Sequence, residues 1–172
     1  QGMTRLDGRF YLSSVEVLEP TVRRDRCVDG FDRSPGTGVG HLFVIDEDGR
    51  CAAHVRLGED DQYHPGGVDT DGTDIWVPVA QYRPDSQSTI YRVNASTLAV
   101  SRAFEVADHI GAIAVDPCSD RLHGLSWGSR RLYTWAPDGT QISVRRNRSH
   151  FIDYQDCQFL APHHVVAGGI AL

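Results

Sequence analysis

The chain has 172 residues, 40% of them hydrophobic and 23% charged, with a formal net charge of −6. These are the proportions of one ordinary globular domain, and a mildly acidic chain lacks the electrostatic footprint that nucleic acid or an anionic membrane demands. Seventeen Gly and eight Pro interrupt the sequence too often for long helices, and no apolar run approaches the roughly 20 residues of a bilayer-spanning helix.

The first predicted element is a hairpin over residues 1–14, turning at Asp7-Gly8, a pair suited to the positive φ of a tight turn. Residues 18–37 then break the pattern. This charged stretch, from Leu18 to Thr37, reads as an inserted loop on the rim, beside the mouth of a channel. A second hairpin follows from Gly40 to Ala52. Its acidic word Asp46-Glu47-Asp48-Gly49 is a turn, lacking the spaced ligands and closing Glu of a calcium loop.

The next elements establish a repeat. A hairpin beginning His64-Pro65-Gly66-Gly67 turns at Asp71-Gly72, and another covers residues 89–100. The pattern returns at His109-Ile110-Gly111, with a turn at Asp116-Pro117 and a further hairpin over 131–142. His64 and His109 are 45 residues apart, and Tyr154-Gln155-Asp156-Cys157 opens a fourth copy about 45 residues later. One unit is four strands, the content of a propeller blade.

The sequence therefore predicts an all-β protein, a β-propeller of four-stranded blades, with about three and a half blades in a single domain spanning 1–172. An irregular β-sandwich is the alternative. The abrupt ends, Gln1-Gly2-Met3 and Val165 to Leu172, read as cut from something longer, a ring of five blades. Self-association of two copies is the other way to cover a half blade's open edge. Cys27, Cys51, Cys118 and Cys157 fit no zinc spacing; Cys27 with Cys51 is the cheapest disulfide, and free thiols are an equal reading. Localisation is not distinguished.

Several words are specific: Tyr63-His64-Pro65-Gly66-Gly67, Ile75-Trp76-Val77-Pro78-Val79-Ala80-Gln81-Tyr82-Arg83-Pro84, Asp108-His109-Ile110-Gly111, Ser126-Trp127-Gly128-Ser129-Arg130-Arg131 and Ile152-Asp153-Tyr154-Gln155-Asp156-Cys157-Gln158. Together they resemble a bacterial family of uncharacterised propeller-like proteins. The family is similar in outline to the five-bladed glutaminyl-cyclotransferase-like propellers, through Gln1-Gly2 and the repeat alone. The resemblance implies a fold and a longer natural chain; it brings no activity and no cyclase residue.

Residues that precede the innermost strands converge at one end of a propeller's axis. That set is Gln1, His64, His109, Tyr154, Asp156 and Gln158. His64, His109 and Asp156 are candidates for general acid–base work or for ligating a divalent metal. A second set follows the second strand of each unit: Glu16, Gln81, Tyr82, Arg83, Trp127 and Arg130. Here Arg83 or Arg130 would clamp an anion and Tyr82 and Trp127 would form an apolar wall, while Trp76 and Trp135 are expected to fill space between blades. No phosphate loop, nucleophile elbow or metalloprotease motif is present. Two functions follow: a small-molecule binder or enzyme with its site at one channel mouth, or a protein-binding scaffold.

Overall fold

The computed structural model describes residues 1–149, 151–162 and 164–171. Their regular structure is β throughout, apart from a short 3-10 turn at Trp127–Ser129. The first sheet is formed by β1 (Met3–Leu6) and β2 (Arg9–Glu19). After the hairpin β3 (Arg23–Val28) and β4 (Phe31–Arg33), it continues with β5 (Thr37–Ile45) and β6 (Cys51–Leu57), in the order β1-β2-β5-β6. All its pairings are antiparallel.

The second sheet begins with β7 (Gln62–Pro65) and β8 (Asp69–Thr70). Both pair with β9 (Asp74–Gln81), which continues to β10 (Ser88–Asn94) and β11 (Val100–Val106). β7 and β8 are thus one innermost strand broken at Gly66-Gly67. The third sheet runs β12 (Ile110–Asp116), β13 (Arg121–Ser126), β14 (Arg131–Trp135), β15 (Gln141–Arg146), and a last pair is β16 (Ile152–Ala161) with β17 (His164–Ala171). Three sequential meanders and the inner half of another are the blades of a β-propeller, and each sheet is open.

The packing follows from the strand patterns. Every residue of β9 is buried, because neighbouring blades cover both its faces, and such a strand is near-continuously apolar rather than alternating. One core cluster, with Tyr11, Leu42, Val44, Val77 and Val79, joins blades one and two. A second joins blades two and three through Trp76, Ile90, Ile113, Leu122 and Trp135, so Trp76 and Trp135 fill interblade space as expected. Each large side chain so buried contributes about 1.5–3 kcal/mol. Between blade three and β16 the cluster shrinks to Ala112, Ala114, Leu125 and Cys157.

At the axis the inner strands are bound by carboxylates. The buried Asp69 on β8 accepts from the backbone N–H of Val115 at 2.9 Å and of Phe159 at 3.4 Å. Asp156 on β16 accepts from the N–H of Met3 at 2.9 Å and of Cys157 at 3.0 Å. Burial raises the pKa of both carboxyls, and the same hydrogen bonds oppose the rise. This contact needs glycine. A Cβ on Gly2 would fall 2.3 Å from Asp156 Oδ1, and one on Gly67 would fall 2.6 Å from Asp156 Cα. The four cysteines are all free, Cys157 buried and the others exposed, so the Cys27–Cys51 pairing does not form.

Candidate functional site

His64 sits on β7, opposite Ala80 of β9, just before the strand breaks. His109 immediately precedes β12, the equivalent strand one blade on. Its backbone N–H donates to Asp108 Oδ1 at 2.9 Å. The other oxygen of the buried Asp108 accepts from Arg131 at 2.9 Å and from the Tyr133 hydroxyl at 2.8 Å. Arg131 is thereby held well above the ordinary arginine pKa, and burial together with Asp108 pushes Tyr133 up to about 12.

The two imidazoles meet at one mouth, with ring centroids 5.7 Å apart. His109 Nδ1 lies 2.7 Å from the Gln81 carbonyl oxygen. A carbonyl only accepts, so Nδ1 carries the hydrogen and Nε2 of the neutral ring holds the lone pair. His64 stacks on Tyr82 at 4.1 Å, and Trp127 stands edge-on to His109 at 4.7 Å. Tyr82 and Trp127 are themselves 5.7 Å apart, so the four rings form one continuous wall. Within it His64 Nδ1 is buried without a hydrogen-bond partner.

Both rings are kept neutral. Burial, followed by the nearby His109, lowers His64 to about 3. Burial lowers His109 to about 4, against the acceptor at Gln81.

The inserted segment reaches one side of this wall, at Trp127 and at Arg83 next to Tyr82. Arg83 stacks on Phe31 of β4 at 3.5 Å, and Arg33 approaches the Trp127 ring at 5.9 Å. Arg83 Nε also donates to Gln81 Oε1 at 3.0 Å, while Gln81 Nε2 donates to Asp61 at 2.7 Å. The Tyr63 hydroxyl donates to the Pro35 carbonyl at 2.7 Å. Phe31, Arg33, Asp61 and Tyr63 were not among the residues the repeat singles out. Only the length of the insertion pointed towards the first two.

Other candidates fall elsewhere. Gln1 is at the same mouth, near His64, His109 and Asp156. Asp156, however, spends its carboxylate on backbone N–H groups, and no set of three or more His, Cys, Asp or Glu suited to a metal occurs among the described residues. The expected His64–His109–Asp156 metal set is therefore not assembled. Gln158 is directed to β1, donating to the Met3 carbonyl at 2.7 Å. Tyr154 packs half-buried against the third cluster, its N–H bonded to Ser129 Oγ at 2.7 Å. Glu16 lies within β2, 60% exposed, with its carboxylate 3.6 Å from His41 Nε2. Arg130 is exposed and borders a surface hollow with Arg131, Val144 and Arg146.

A larger cleft of about 760 Å³ opens between blade three and the β16–β17 pair, lined by His123, Leu132, Arg145, Cys157 and Phe159 among others. It does not include the imidazole pair. Burial raises the Cys157 thiol far above its usual range, which makes it unreactive there.

A sequence profile for a family of unknown function, DUF6454, matches residues 1–171. The chain belongs to that family. No curated protein matches it. Among solved structures, a luciferin-regenerating enzyme superposes with a TM-score of 0.54 at 12% identity, covering 93% of this chain and 49% of that one. The β-propeller domain of Cps50 (Swd1) from Myceliophteria thermophila gives 0.47 at 11% identity, covering 77% and 47%. The chain spans about half the length of either structure. No helix among the described residues is long and apolar enough to cross a membrane.

Proposed function

We propose that this protein binds a small molecule at the His64–His109 mouth. The observation that carries the reading is the unpartnered, buried Nδ1 of His64 within a wall of four rings. A buried polar atom without a partner costs free energy unless something supplies the missing bond. Flat rings and uncharged imidazoles suit an uncharged ligand with an apolar face and a hydrogen-bonding group. With pKa values of about 3 and 4, neither ring is an acid at neutral pH, so their part is to exchange hydrogen bonds in the neutral form. The cyclotransferase resemblance contributes no residue to this reading, and the likeness to the luciferin-regenerating enzyme contributes the fold alone.

The test is a thermal-shift screen of uncharged aromatic and carbonyl compounds, repeated with His64→Ala. Hits that stabilise the wild type and lose their effect in the variant support the reading. Hits that stabilise both equally place binding elsewhere.

A further inference from the structure

We infer that the β3–β4 hairpin is a lid over the His64–His109 mouth, latched by the stack of Phe31 on Arg83. The inference rests on the reading of that mouth as a binding site. Every residue of β3 is exposed, and the hairpin's two strands pair only through Arg23 with Arg33 and Val28 with Phe31. It therefore buries little of its own and draws its position from the body. The contacts that fix it fall on site residues of two blades, Phe31 on Arg83 of the second and Arg33 towards Trp127 of the third.

The latch is wired to the imidazole. Gln81 holds Arg83 Nε with its side-chain oxygen and His109 Nδ1 with its carbonyl, at 3.0 and 2.7 Å. Asp61 secures the far side, 2.7 Å from Gln81 Nε2 and 3.6 Å from the Arg83 guanidinium. One buried glutamine thus ties the lid's anchor and the orientation of His109 to the same backbone unit. The hairpin's base packs closely on the body, where the Tyr63 hydroxyl holds the Pro35 carbonyl. Gly36 has φ +68, and a Cβ there would meet the Tyr63 hydroxyl and the Glu19 carbonyl, each at 2.6 Å. Ser34 closes the base by reciprocal bonds with Val22, both at 2.9 Å.

Diethyl pyrocarbonate, which acylates neutral imidazole nitrogens, is the probe. Labelling is mapped to individual histidines by mass spectrometry, and exposed His54 on β6 serves as internal control. Phe31→Ala should raise the labelling rate of His64 about tenfold, the scale of losing one partly buried cation–π stack. Arg33→Ala should give a smaller rise, and both variants should keep the wild-type melting temperature and the wild-type rate at His54. An unchanged His64 rate in Phe31→Ala overturns the lid. So does a faster rate at His54 accompanied by a fall in melting temperature, which would make the hairpin a brace for the whole fold. The readout needs no ligand. Failure to find a small molecule for the mouth would count against the binding proposal, whereas the labelling rates report separately on whether the hairpin covers His64.

Discussion

Tyr82 lies face to face on His64, with ring centroids 4.1 Å apart and planes 12° from parallel. The stack joins a residue at the end of a blade's second strand to one on its innermost strand, and so brings the two predicted sets into one surface. Tyr82→Ala would remove a side of the wall while leaving the interblade clusters, to which Tyr82 does not belong. Ligand affinity should fall at least about tenfold and stability by only about 1 kcal/mol, the worth of an aromatic pair beyond its area. Binding isotherms beside urea denaturation check both numbers.

The buried imidazoles make the fold acid-sensitive. In the unfolded chain they titrate near 6.5, and in the folded one near 3 and 4. Between those limits the unfolded state holds more protons, so stability present above pH 6.5 is lost as pH falls towards 4. Each ring contributes up to about 1.4 kcal/mol per pH unit within that window. Asp69 and Asp156 act in the opposite sense. Their folded pKa values are raised above 3.8, so protonating them returns stability as pH falls through the folded value. Urea denaturation at pH 7 and pH 5 should show a loss of about 2–4 kcal/mol in the wild type. The loss should be roughly halved in His64→Phe. Equal stability at the two pH values would mean that the rings are not buried neutral.

Asp69 accepts backbone N–H groups from two other blades. Asp69→Ala strands those donors in the interior, at about 1–3 kcal/mol for each. A melting temperature within a degree or two of wild type would show that the axis is held by something else.

Gly67 leaves no room for a side chain against Asp156. Gly67→Ala must push β16 away from β8, and it should destabilise by more than about 1 kcal/mol, beyond the ordinary cost of altering a strand glycine. The same substitution at Gly72, with φ +91 and open space around it, strains only its own turn. The paired denaturation curves separate crowding from conformation.

Much of the fold was legible because one period carries it. The 45 residues from His64 to His109 return the chain to the same radial position, and the two rings do come together. Trp76 and Trp135 were legible for the same reason, since their strands are covered on both faces. Register predicts which end of the axis a residue reaches and not what its side chain bonds, and the Asp156 carboxylate accepts from the N–H of Met3. Gln158 likewise turns its side-chain amide to the Met3 carbonyl, and Tyr154 packs against the third cluster. Glu16 was drawn in by assuming that β2 ends where its counterparts do, whereas pairing with β5 continues to Glu19. The hairpin within 18–37 was illegible as strands, because β3 is Arg- and Asp-rich and exposed on both faces, with no alternation to read.

The most direct test of the mouth as the binding site is nitrogen-15 NMR of histidine-labelled protein, titrated with the best compound from the thermal-shift screen. The reading predicts that the ring nitrogens of His64 and His109 shift together in proportion to occupancy, while His123 in the 760 Å³ cleft does not move. Saturable shifts at His123 with His64 and His109 unchanged would contradict it and move the site to the cleft.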